Sequence, residues 1–295
     1  MRNTSTYDTY QAVSFVSKNI KSKSLKKTIS GFLGLKALID DTHKHLVKKS
    51  RAKKETKINP KYPLQFQQIR REFGGCYGLY DNLKRGTAML SNDNELNQYL
   101  YSYGNMHQAK LDKTYKKLFE SLDLSNNKKI EIIDYACGQG VASIVLLNYI
   151  ENNFNYCLSN IEKITLVEPS EVALNRAEKI LNQSANICTI NESFDDLTET
   201  HFNSDQSVTK IHLLSNILDM GDEHFDMEHI AEVILKSQSG VNYFVCVSAL
   251  NKGKLDYFKE LFELFDGFTD ISSFDGKFTN QQNWKMKFNI FKIGG

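Results

Sequence analysis

The residues of this chain best suited to chemistry are two acids, each closing an apolar run, and a turn of small residues between them. Asp134 ends the run Ile130–Asp134, and Ala136-Cys137-Gly138-Gln139-Gly140 follows. Apolar spacing resumes at once over Val141–Ile150, with the period of a helix. A strand, a tight loop and a helix N-terminus in succession bring backbone N–H groups close to a ligand. Glu168 closes the second run, Lys163–Glu168, ahead of Pro169 and Ser170. Both acids have plainer uses as well, Asp134 as a loop cap and Glu168 as a solvated strand end.

The elements that must position these residues alternate in type. After Ser125-Asn126-Asn127, strands are expected at Ile130–Tyr135, Lys163–Glu168, Asn186–Ile190, Lys210–Leu214 and Val241–Val247. Helical spacing fills the intervals at Val141–Asn155, Glu171–Asn182 and Phe225–Ser237, and again at Lys252–Leu264. Strands separated by helices imply a parallel, doubly wound sheet. Two closing strands, about Phe268–Phe274 and Lys285–Ile293, have no crossover between them and imply an antiparallel hairpin at the edge. Upstream, a helix is expected from His107 to Ser121 with the stripe Leu111, Tyr115, Leu118 and Leu122. Tyr99–His107 reads as aromatic and turn-like, and a further helical stretch with Phe66, Ile69 and Phe73 ends at Gly74-Gly75. The N-terminal arm carries helical patterns over Tyr7–Ile20 and Lys27–Ser50, closed by Asn59-Pro60 and Tyr62-Pro63.

Composition narrows the class. The 295 residues are 41% hydrophobic, enough for a real core, and no apolar run approaches a membrane span. No apolar segment of signal-peptide type follows Arg2, so none is expected. The five cysteines are odd in number and lack metal-type spacing, which points to reduced, mostly buried thiols, no metal site and a cytoplasmic location. Charge is divided unevenly: residues 1–71 hold 17 Lys and Arg against 4 Asp and Glu, and the remainder holds 20 against 31. The basic run from Lys44 to Lys57 exceeds what a helix C-terminus needs, and it suits an anionic partner such as nucleic acid. His212 falls in a buried strand and reads as a core histidine; Cys246 reads as a buried thiol.

Asp134-Tyr135-Ala136-Cys137-Gly138-Gln139-Gly140 resembles motif I of the class I S-adenosylmethionine-dependent methyltransferases, an acid followed by Gly-x-Gly-x-Gly, with Ala136 in place of the first glycine. The dinucleotide register Gly138-x-Gly140-x-x-Ser143 leaves Asp134 and Ala136 without a role. Alanine is tolerated where the backbone suits it, since glycine is required only for positive φ or very close approach. The resemblance continues through Val167-Glu168-Pro169-Ser170, Asn191-Glu192-Ser193-Phe194 and Leu214-Ser215-Asn216-Ile217-Leu218-Asp219. It implies a Rossmann-like, mostly parallel seven-stranded sheet over residues 107–295, preceded by a basic helical region at 1–106.

The same resemblance implies S-adenosyl-L-methionine as cofactor. Asp134 lies near its amino-acid part, Ala136, Gly138 and Gly140 allow close approach, and Glu168 with Pro169 holds the ribose. A carboxylate accepts both ribose hydroxyls at once. Asn191 or Glu192 meets the adenine, and Ser215 closes the cofactor site. Ser215, Asn216 and Asp219 lie nearest the methyl acceptor, with Tyr101, Tyr103 and His107 able to reach the ligand; no base is assigned. With three prolines in all, at 60, 63 and 169, the chain lacks the Pro-Pro-aromatic segment of amino-directed DNA methyltransferases. The expected activity is methyl transfer to RNA or a ribonucleoprotein. The alternatives are a catalytically silent cofactor-binding assembly factor and a small-molecule methyltransferase.

Overall fold

The computed structural model describes residues 65–75, 78–122, 128–182, 185–220, 224–249, 253–278 and 284–295. The basic arm and the helices expected within it lie outside the described residues. Helix α1, Phe66–Phe73, buries Phe66 and Ile69. Helix α2 runs without a break from Asp93 to Ser121. Asn92 caps it by accepting from the Glu95 N–H, and the Glu95 carboxylate accepts from the Ser91 N–H.

The turn expected at Tyr99–His107 is therefore helix, and α2 starts well before His107. The apolar stripe that marks the later turns continues upstream through Leu96, Leu100 and Gly104, all buried. Gly104 is not a break: a Cβ there would lie 3.1 Å from the Phe66 ring, so glycine lets α1 pack close.

Seven strands form one sheet in the order β3-β2-β1-β4-β5-β7-β6. They are β1 Ile130–Tyr135, β2 Ile161–Val167, β3 Asn186–Ile190, β4 Thr209–Ser215, β5 Asn242–Ser248, β6 Thr269–Phe278 and β7 Trp284–Ile293. The first five pair in parallel, and β7 is antiparallel to both β5 and β6. This is the mostly parallel sheet with an antiparallel closing pair expected from the pattern. The crossover helices are α3 Val141–Asn153, α4 Glu171–Leu181 and α5 Met227–Ser237, followed by the short α6 Lys254–Glu260. Side-chain caps start two of them: Ser170 accepts from the Ala173 N–H, and Asp226 from the N–H groups of Glu228 and His229.

Alternation along each strand divides the core in two. Ile132, Ile164, Ile211 and Val245 meet α2, α3 and α4 on one face. Ile133, Val167, Leu214 and Phe244 meet α5 and α6 on the other. His212 is fully buried there, stacked 4.5 Å from the Phe244 ring, with Tyr135 Oη at 3.2 Å from Nδ1 and Asn242 Oδ1 at 3.0 Å from Nε2. Burial presses its pKa down to about 4, so it is a neutral core histidine. Among the described residues no helix is long and apolar enough to cross a membrane, and no cluster of His, Cys, Asp or Glu is suited to a metal ion.

Candidate functional site

Strand order reverses at β1: the chain moves from β1 to β2 and β3 on one side, then returns to β4 on the other. A crevice opens at the carboxyl ends of the strands at such a point. A cavity of about 320 Å³ lies there, lined by the loop after β1, by Glu168 and Pro169 after β2, and by Ser215 and Asn216 at the end of β4.

The loop is built from alternating left-handed residues: Ala136 at φ 49°, Gly138 at 54° and Gly140 at 77°. Ala136 thus stands where a side chain is disfavoured, and the position does call for glycine. At Gly138 a Cβ would meet nothing within 4 Å, so the backbone faces open space. At Gly140 a Cβ would lie 3.1 Å from both Ala177 and Leu181; that glycine serves the packing of α4 and does not line the cavity.

Glu168 holds the loop in shape. One carboxylate oxygen accepts the Gly138 N–H at 2.9 Å and the other accepts the Ser170 N–H at 3.0 Å. Burial raises its pKa while these two bonds pull it down. With one donor on each oxygen, the carboxylate retains lone pairs for further donors. It is therefore not a solvated strand end.

Asp134 is fully buried at the end of β1. Its Oδ2 accepts both the Ser143 N–H at 3.1 Å and the Ser143 hydroxyl at 2.7 Å, which ties β1 to the first turn of α3. Its Oδ1 has no hydrogen-bond partner among the described residues. Burial lifts the carboxyl to about 7, against the pull of Ser143 and with a small push from Glu168. A buried carboxyl oxygen beside the cavity with no partner among the described residues is a polar group that a bound molecule could satisfy.

The opposite wall comes from α2 and the end of β4. Asn216, also left-handed at φ 59°, donates through Nδ2 to His107 Nδ1 at 2.7 Å. His107 is buried, and its Nε2 lies 3.3 Å from the Tyr99 hydroxyl. Burial and then the Lys110 charge hold the imidazole down to about 3, so it is neutral. Lys110 is itself buried, with an amine that lacks a partner among the described residues. Burial lowers its pKa to about 8, against the pull of Asp219.

A polar strap fastens α2 to the loop. Gln139 donates to the Leu96 carbonyl at 2.9 Å and accepts from Arg176 at 3.2 Å. Arg176 also donates to Asn97 at 2.7 Å, pairs with Asp93, and lies over the Phe73 ring. Ser170 donates to the Leu90 carbonyl, and the segment Gly86–Leu90 lines the cavity.

Of the residues singled out from sequence, Asp134, Ala136, Gly138, Glu168, Pro169, Ser215 and Asn216 line one cavity, and His107 joins them. Gly140, Asn191, Glu192 and Asp219 do not line it. Asn191 spends its amide hydrogens on the Glu168 and Pro169 carbonyls, bracing β3 to the end of β2, while Phe194 lines the cavity nearby. Tyr101 is exposed, and Tyr99 is the tyrosine of that segment on the wall. The signal for Tyr99 was its spacing of four from Tyr103 and eight from His107, which places all three on one helical face. Gln139 and Arg176 had no such signal.

No protein-family model matches the chain, and no curated protein matches it. Solved structures similar to it include an S-adenosylmethionine-dependent methyltransferase from Leishmania major, 12% identical, covering 77% of this chain and 90% of that one with a TM-score of 0.44. Another is magnesium protoporphyrin IX methyltransferase from Synechocystis with bound S-adenosylmethionine, 14% identical, covering 78% and 97% with a TM-score of 0.43. A third is an rRNA methylase from Streptococcus thermophilus, 16% identical, covering 63% and 97% with a TM-score of 0.40.

Proposed function

We propose that this chain is an S-adenosylmethionine-dependent methyltransferase whose acceptor is RNA or a ribonucleoprotein. The observation that carries the donor assignment is the set of unfilled acceptors around the switch-point cavity. Glu168 has lone pairs to spare for two ribose hydroxyls beside the open backbone of Gly138. Asp134 Oδ1, buried and unpartnered among the described residues, suits the ammonium of the donor's amino-acid part. Phe194 and Phe225, packed edge to face at 4.7 Å, give an apolar wall of the kind an adenine ring needs.

When bound, the cofactor supplies a methyl group already activated on a sulfonium. The residues then have mainly to align and to exclude water. Glu168 and the loop would hold one end and Asp134 the other, while the Ser170–Leu90 bond fixes the segment Gly86–Leu90 along the cavity and the Gln139–Arg176 strap fixes α2. Support for an RNA acceptor comes from the charge division in the sequence, 17 basic against 4 acidic residues over 1–71, which suits phosphate contacts.

Calorimetry with S-adenosylmethionine tests the donor site. Glu168→Ala removes two loop contacts and the hydroxyl acceptor, and an affinity loss of about thirtyfold or more is expected. Absence of binding by the unaltered protein at millimolar donor overturns the assignment. Labelled-methyl transfer into RNA, protein and metabolite pools tests the acceptor: label confined to protein or metabolites overturns the RNA reading.

A further inference from the structure

Three polar side chains on the β4 side of the cavity satisfy one another in a line. Tyr99 and His107 lie two turns apart on α2, with rings parallel to within 6° and centroids 5.7 Å apart. Asn216 joins them from the turn after β4, where its own N–H is bonded to the Val247 carbonyl. His107 Nδ1 accepts from the Asn216 amide, and a neutral imidazole carries a single proton, so that proton sits on Nε2. Nε2–H then donates to the Tyr99 oxygen, and the phenolic hydrogen is left without an acceptor among the described residues.

The amide of Asn216 closes the argument at the other end. Its Oδ1 is buried and unpartnered among the described residues. The amide also donates to Ser215 Oγ at 2.9 Å; turning it over leaves Nδ2 in place of Oδ1 without a partner and reverses the bonds to Ser215, His107 and Tyr99. The Tyr99 oxygen thus offers the cavity a hydrogen in one sense and a lone pair in the other. Burial, then the charges of Glu168 and Asp219, keep the Tyr99 phenol protonated well above its ordinary range. Tyr99 lines the same cavity as Glu168 on the ribose side and Asn216 on the β4 side, and is joined to the latter through His107. On the donor reading above, a sulfonium held by Glu168 and Asp134 would have to sit between those two sides.

We propose that Tyr99, backed by His107 and Asn216, faces the methyl group and positions the acceptor's nucleophilic atom for in-line transfer. The inference rests on the donor assignment above. Tyr99 makes the contact, and His107 and Asn216 are positioning residues that act through it. The line uses a single amide rotation to serve either a nucleophile that donates a hydrogen or one that accepts it.

Two donor analogues read this without knowledge of the acceptor. S-adenosylhomocysteine lacks the methyl group, and sinefungin carries an amine where the methyl would be. Tyr99→Phe is expected to leave S-adenosylhomocysteine within about twofold and to weaken sinefungin about tenfold or more, the size of a lost hydrogen bond to a charged group. His107→Phe keeps a ring in the stack and is expected to weaken sinefungin about threefold, with no further loss when added to Tyr99→Phe. A Tyr99→Phe variant that loses both ligands equally, or neither, overturns the proposal while leaving the donor site standing. Independent, additive losses from the two variants overturn the line. Failure of the unaltered protein to bind either analogue overturns the donor assignment itself.

Discussion

Replacing Asp134 with asparagine separates the charge of that residue from its place in the fold. The amide is isosteric and its oxygen still accepts from Ser143, so β1 and α3 stay joined. In the free protein the carboxyl is lifted by burial to about 7 from the ordinary value of 3.8. The folded form therefore keeps a proton that the unfolded chain has lost over that interval. Its contribution to stability is full at acid pH and is lost as pH rises through about 7. At about 1.4 kcal/mol per pH unit the whole effect is on the order of 4 kcal/mol. A bound ammonium reverses the preference, because it favours the carboxylate. Donor affinity should then climb about tenfold per pH unit up to about 7 and level off above it. His107, held down to about 3, titrates below the range. Lys110, near 8, titrates at its upper edge, and Glu168 is raised by burial but pulled down by its two backbone N–H bonds, so the Asp134→Asn comparison isolates Asp134. Calorimetry with S-adenosylhomocysteine from pH 5 to 8, in two buffers of different ionisation enthalpy, measures affinity and protons released together. At pH 6 the unaltered protein should release close to one proton more than Asp134→Asn. A flat affinity between pH 5 and 7, or a proton release unchanged in the variant, refutes the reasoning.

Three further outcomes follow from the same coordinates. Ala136→Gly relieves a left-handed alanine and should raise the unfolding free energy by roughly 0.5–1 kcal/mol in urea titrations, after the entropy of glycine is subtracted. Gly140→Ala brings a Cβ to 3.1 Å from Ala177 and Leu181 at positive φ, and should lower it by about 2 kcal/mol. Lys110→Met replaces a buried, unpartnered amine with an apolar chain of like volume, and should raise the melting temperature at pH 7; a fall would show that the amine is held by charge.

Much of the fold is legible in the sequence. Apolar runs of strand length alternating with helical periods define a doubly wound sheet, because each period can bury only one kind of face. The closing pair without a crossover had to be antiparallel. Tyr99–His107 is helix and not turn for a local reason: tyrosines, Gly104 and Asn105 carry turn character, and the packing of Phe66 against Gly104 overrides it. Asn191 and Glu192 sat at the correct strand end, but side-chain direction decides what lines a cavity, and Asn191 turns back to brace β2.

By itself the sequence determined the order of elements, the acid-and-glycine loop, and the pair Asp134 and Glu168, because each rests on spacing along one strand and its turn. Tertiary structure alone decided that Ala136 is left-handed, that Asp134 Oδ1 is buried without a partner, and that Tyr99, His107 and Asn216 form one line. Those properties depend on what lies across the cavity. Residues 109 positions apart, such as His107 and Asn216, meet only once the sheet has brought β4 beside β1 and α2 has packed against it.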